Sequence, residues 1–174
     1  MTVTRASFWT AAAGMAWLAV SATGLASEPR GLGSDTRWRE PLARAEASLV
    51  RGDARAAEQA WQEAHRAVIR AGMPAAVLEV GRAYLRVGEA ARDRQTAVAR
   101  ARQIFLLALV QARERRDAEL VAAAGGAFAT LGDREAADRA FAAAVTLAAQ
   151  NGDERMRERI ALLRQQSMTL RPGP

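Results

Sequence analysis

Residues 52–72, GDARAAEQAWQEAHRAVIRAG, and residues 132–152, GDREAADRAFAAAVTLAAQNG, are two versions of one segment. Gly52 aligns with Gly132, Asp53 with Asp133, Ala56 with Ala136, Ala57 with Ala137, Ala60 with Ala140 and Ala64 with Ala144, without a gap, and Trp61 meets Phe141. A repeated helical unit confines a chain to architectures in which each unit buries its apolar side against the next. Such stacks present a surface that holds another molecule. The repetition does not say which molecule.

The stretch before each glycine repeats as well. Gly81-Arg-Ala-Tyr84-Leu-Arg-Val-Gly88-Glu89 lies 44 residues before Gly125-Gly-Ala-Phe128-Ala-Thr-Leu-Gly132-Asp133, and a weaker copy, Ala45 to Asp53, lies 36 residues before the middle one. A glycine followed by an acid at 52, 88 and 132 is expected to close one helix and open the next. Glycine takes the left-handed conformation that ends a helix, and the acid suits the positive N-terminus that follows. Ala101, Phe105, Ala108 and Ala112 fall at helical spacing without strand-like alternation, and Pro41 and Pro74 suit first helical turns. The pattern predicts three antiparallel helix pairs: 41–51 with 54–71, 74–87 with 92–115, and 118–131 with 134–150. A last helix, 153–168, carries Met156, Ile160 and Leu163 on one face, as a terminal cap requires. Alanines let the helices approach, and Trp61, Tyr84, Phe105, Phe128 and Phe141 are expected to share one interior.

These residues resemble the tetratricopeptide repeat family. The third copy carries Gly125, Phe128, Leu131-Gly132-Asp133, Ala137, Phe141 and Ala144. The second carries Gly81, Tyr84 and Val87-Gly88-Glu89, with Ala101, Phe105 and Ala108 arriving eight residues late. The first keeps Ala45, Gly52-Asp53, Ala57, Trp61 and Ala64, with Ser48 in the aromatic position. The likeness divides 37–152 into repeats 37–73, 74–117 and 118–152. It implies an all-α, right-handed solenoid of three antiparallel helix pairs with a C-terminal capping helix, and a concave groove lined by the first helix of each pair. Carried over residue by residue, that groove would offer Arg39, Leu42 and Glu46, then Leu78, Glu79, Arg82, Leu85 and Arg86, then Glu119, Ala122, Gly126 and Thr130. Arg82 and Arg86, one turn apart, would suit a carboxylate or an acidic segment; a merely solvated helix face carries similar charges. Members that clamp a C-terminal carboxylate use lysines and asparagines, which this groove lacks, so that function is not carried over.

The N-terminus has a separate design. Arg5 precedes an uncharged run from Ala6 to Ser27, apolar from Phe8 to Val20 and ending in small residues, with a cleavage point expected after Ala26. Residues 1–26 thus read as an export signal, placing the mature chain in a periplasm or outside the cell. The same span is just long enough to cross a bilayer, which leaves an uncleaved inner-membrane anchor as the alternative. Residues 27–36, with Pro29, Gly31 and Gly33, read as a flexible linker, and 169–174 as a disordered tail. Without the signal, about 148 residues remain, enough to bury about two-thirds of the unfolded chain's surface. The chain has no cysteine, which excludes disulfides, thiolate metal sites and lipid attachment through a thiol.

The net charge is +6 and every basic residue is arginine. The arginines are interleaved with acids, as in Arg113-Glu-Arg-Arg-Asp117, the pattern of solvated helix faces, so no nucleic-acid partner is expected. His65 is the single histidine; it aligns with Val145 and reads as a half-buried packing residue, since metal sites and nucleophile–base dyads need several converging groups. Gly125-Gly126 lies within a helical pattern, which excludes a phosphate-cradling loop. No catalytic residue, metal or cofactor is expected. The run Ile104 to Val110 has two readings: a central helix buried by both neighbouring repeats, or an apolar patch of Leu106, Leu107 and Val110 that docks a partner or a second copy. The eight extra residues around 90–97 would lengthen that helix by about 12 Å. The expected role is a noncatalytic exported adaptor or scaffold that binds a protein or peptide, in envelope complex assembly; the alternative is a membrane-anchored or cytoplasmic regulatory or sensor module.

Overall fold

The computed structural model describes residues 36–169, and all regular structure among them is α-helical. Seven helices follow in order: α1 Arg39–Val50, α2 Ala54–Ala71, α3 Pro74–Ala90, α4 Arg94–Glu114, α5 Ala118–Thr130, α6 Arg134–Gln150 and α7 Glu154–Thr169. The expected signal at 1–26, the linker before Thr36 and the tail beyond Thr169 lie outside the described residues. The most extensive packing joins α1 to α2, α3 to α4 and α5 to α6. The second helix of each pair then meets the next helix in the chain, and α7 packs on both α5 and α6. No described helix is long and apolar enough to cross a membrane.

One turn chemistry recurs five times. Gly52, Arg92, Arg116, Gly132 and Gly152 all have positive φ, and an aspartate follows each one. The aspartate N–H donates back to the carbonyl five residues earlier, as in Asp53 to Ser48, Asp93 to Gly88 and Asp133 to Phe128. This is the Schellman closure of one helix. The same aspartate's Oδ1 accepts from the N–H three residues on, at Ala56, Thr96, Leu120, Ala136 and Met156, which caps the next helix. Each aspartate therefore ends one helix and starts another.

This chemistry corrects the expectation at Gly88-Glu89. Gly88 lies inside α3, and the chain turns four residues later at Arg92-Asp93. Asp93 provides the N-cap that Glu89 was expected to provide. A Cβ on Gly88 would collide with the Cβ of Ala97, so this glycine serves the close approach of α3 to α4. The eight extra residues also do something different from lengthening one helix by 12 Å. The left-handed residues 52, 92 and 132 are spaced evenly, and the added residues fall as one turn on each arm of the second hairpin. α3 has 17 residues against 12 in α1 and 13 in α5. α4 has 21 against 18 in α2 and 17 in α6. At 1.5 Å per residue each arm gains about 6 Å. Extending both arms equally keeps every added residue opposite a partner, which a one-sided overhang would not.

Trp61, Tyr84, Phe105, Phe128 and Phe141 join one continuous core. Trp61 packs on Tyr84 with ring centroids 4.2 Å apart, and its buried indole N–H donates to the Val80 carbonyl at 2.8 Å. Phe105 meets Phe128 edge to face at 6.1 Å. Trp38, which the sequence places between the linker and the first helix, is also buried in this core. Ser48, in the aromatic position of the first copy, is buried and satisfied: its hydroxyl donates to Arg44 O and accepts from Arg51. At the other end Ile160 is fully buried and Met156 and Leu163 pack beside it, the inward face expected of the last helix.

Candidate functional site

The groove positions expected on α1 and α3 come together in part. A cleft of about 410 Å³ lies between these helices, lined by Trp38, Arg39, Leu42, Ala43, Glu46, Glu79 and Arg86. Its lining gathers five of the expected residues. Arg39 lies over the Trp38 ring, 5.4 Å from its centroid. Arg86 forms an ion pair with Glu46 across the cleft, so the two-arginine clamp expected on α3 is reduced to one uncommitted cation. Arg82 is exposed and forms no ion pair with a described residue, and the same holds for Glu79 one turn before it. The free charges of α3 are thus one anion and one cation side by side.

Several expected groove residues have other work. Leu42 and Leu78 are only 7% and 3% exposed and belong to the core, where burying a leucine contributes about 1.5–3 kcal/mol; Leu42 also reaches the floor of the cleft. Ala122 is buried as well. Leu85 and Thr130 lie apart from the α1–α3 cleft, around a cleft of about 110 Å³ beside the second hairpin turn, with Val98 and Leu131. The Thr130 hydroxyl donates to its own helix at Ala127 O, 2.7 Å away. In the third copy, α7 packs on α5: Glu119 pairs with Arg159 at 3.0 Å, and a Cβ on Gly126 would meet Ser167. Helix α7 therefore occupies the part of α5 that was expected to face a partner. Sequence spacing could not show which neighbour covers these positions.

The apolar run on α4 is divided. Ile104, Phe105 and Ala108 are buried, whereas Leu106, Leu107 and Val110 are 45%, 37% and 51% exposed. The reading in which both neighbouring repeats bury the whole run does not hold, because Leu106, Leu107 and Val110 stay open to solvent. Leu106 and Leu109 border a cleft of about 250 Å³ between α4 and α6, with Ala136, Ala140 and Ala143 opposite and Arg102, Arg113, Asp133, Glu135 and Arg139 at the rim. Arg102 pairs with Asp133 at 2.7 Å and Arg139 with Glu135.

His65 is half-buried and stacks on Trp61, with ring centroids 4.9 Å apart and planes within 14°. Burial, aided by the nearby Arg100 guanidinium, holds its pKa below the usual imidazole value. Arg100 itself sits over the rings of Trp61 and Tyr84, at 5.2 and 5.3 Å, a cation–π arrangement that sequence spacing did not anticipate. Among the described residues no three of His, Asp and Glu gather as a metal site would require. Compared with known protein families and with curated proteins, the chain matches none, so the geometry of these helices carries the functional reading.

Proposed function

We propose that the chain is a noncatalytic, exported adaptor of the tetratricopeptide-repeat type, a right-handed solenoid that holds a protein or peptide partner in the cleft between α1 and α3. The observation that carries this reading is the composition of that cleft. Trp38, Leu42 and Ala43 supply an apolar lining, Arg39 stands at its edge and Glu79 is its free anion, with Arg82 exposed and unpaired among the described residues one turn further along α3. A segment with an apolar side chain and flanking charges would satisfy both; polar groups of this kind fix orientation while the apolar wall contributes affinity. The recurring aspartate turns and the single core support the repeat reading, and the layout of residues 1–26 supports export to the periplasm, where the adaptor would serve envelope complex assembly.

Two measurements test it. Mass spectrometry of the mature protein is expected to find a chain beginning near Ser27; an intact Met1 in a cytosolic fraction would defeat export. Affinity capture from envelope extracts, with the unaltered chain beside Arg82→Glu and Glu79→Arg, is expected to lose the same partner in both variants while helicity stays unchanged, because neither side chain is paired. Retention of that partner by both variants would remove the cleft from consideration.

A further inference from the structure

We propose that the cleft between α4 and α6 is a second docking site, built for an amphipathic helix of another protein that carries carboxylates along one edge. Three of the six exposed large apolar side chains among the described residues lie on α4: Leu106, Leu107 and Val110. Leu106 and Val110 stand one turn apart and form a ridge beside the cleft. Its α4 wall runs from Arg102 through Leu106 and Leu109 to Arg113, the spacing of one helical stripe, about 16 Å long. Its α6 wall is alanine, at Ala136, Ala140 and Ala143. Alanine leaves room for a backbone to come close but supplies no knob, so the large apolar side chains must come from the occupant.

Charge decides what kind of helix fits. Asp133 and Glu135 are already engaged by Arg102 and Arg139, while the Arg113 guanidinium at the other end has no carboxylate partner among the described residues. Along its length α4 carries four arginines (94, 100, 102 and 113) and a single acid, Glu114. Arg94 and Arg102 are paired with Glu89 and Asp133 and Arg100 lies over Trp61 and Tyr84, so the cation left at the cleft is Arg113, which favours a partner that brings a carboxylate to it. The arrangement is the helix-in-groove mode of recognition, on a face separate from the α1–α3 cleft.

The test uses the full chain and fluorescent synthetic helical peptides of about 15 residues, roughly four turns. One series has leucines at helical spacing flanked by glutamates; the other has lysines in place of the glutamates. The glutamate peptide is expected to bind, and the lysine peptide to bind roughly tenfold more weakly or worse. Leu106→Glu and the milder Val110→Ser, both at exposed positions, are expected to weaken the glutamate peptide, and Arg113→Glu to reverse the preference between the two. Arg82→Glu is expected to change neither. Equal binding of both peptides, no binding of the glutamate peptide, or a preference untouched by Arg113→Glu overturns the proposal. So does concentration-dependent dimerisation of the unaltered chain that Leu106→Glu abolishes, because it assigns the ridge to a second copy.

Discussion

At two of the five repeated turns an arginine occupies the left-handed position that glycine holds elsewhere, Arg92 at φ 58° and Arg116 at φ 55°. A side chain in that conformation costs about 1–2 kcal/mol, and removing it returns part of the gain through the more mobile unfolded chain. Arg92→Gly is therefore expected to stabilise the fold by about 0.5–1 kcal/mol, a rise in Tm of about 2–4 °C in a thermal melt. Arg116→Gly should gain less, because Arg116 also donates to the Gln150 side chain at 2.9 Å. A lower Tm for Arg92→Gly would mean that its side chain contributes a contact outweighing the strain. The aspartate after each turn residue was visible in the sequence; the equivalence of Arg92-Asp93 to Gly52-Asp53 was hidden because the left-handed residue is not glycine.

The second hairpin shows how helices grow without losing their partners. Adding a turn to α3 and another to α4 moves the loop outward and leaves the older contacts in register, with Gly88 and Ala97 meeting in the added layer. The neighbour that a Gly88 Cβ would strike is itself a Cβ fixed to a helix backbone, so it cannot swing aside. Gly88→Ala is expected to destabilise by about 1–2 kcal/mol, the overpacking cost outweighing the gain in helix propensity. Gly126→Ala is the contrasting case: its nearest neighbour would be the Ser167 hydroxyl at 3.8 Å, ordinary contact distance, and propensity alone should stabilise by about 1 kcal/mol. Chemical denaturation of the two variants checks the pair, and a shift of both midpoints in the same direction would contradict it.

The last described helix, α7, differs from α3 and α5 at the positions where those helices receive a neighbour. Counted from the residue that opens each helix, Gly81 and Tyr84 on α3 correspond to Gly125 and Phe128 on α5, and to Ala161 and Arg164 on α7. On α3 and α5 these positions receive the second helix of the pair, as Gly81 receives Phe105 and Gly125 receives Phe141. On α7 the aromatic has become an arginine, paired with Asp138 on α6 at 2.8 Å, and these positions border an open cleft of about 560 Å³ with Phe141, Val145 and Ile160. A chain truncated after Gly152 loses Ile160 from the core and uncovers the α5 surface that α7 protects. It is expected to melt at a lower temperature and to self-associate in sedimentation experiments. A truncated chain that stays monomeric with an unchanged Tm would show that α7 is dispensable.

Helix number, helix order and the five core aromatics were legible in the linear pattern, because periodicity, turn residues and the apolar stripe are local properties that each segment carries alone. Both faces considered for binding were also legible as helix faces. Their availability was not. Leu42 and Leu78 are buried, Arg86 is tied to Glu46, α5 is covered by α7, and the outer half of the α4 run is left open. Whether a side chain meets solvent or a neighbour depends on contacts between segments tens of residues apart, and only the packed helices settle those contacts.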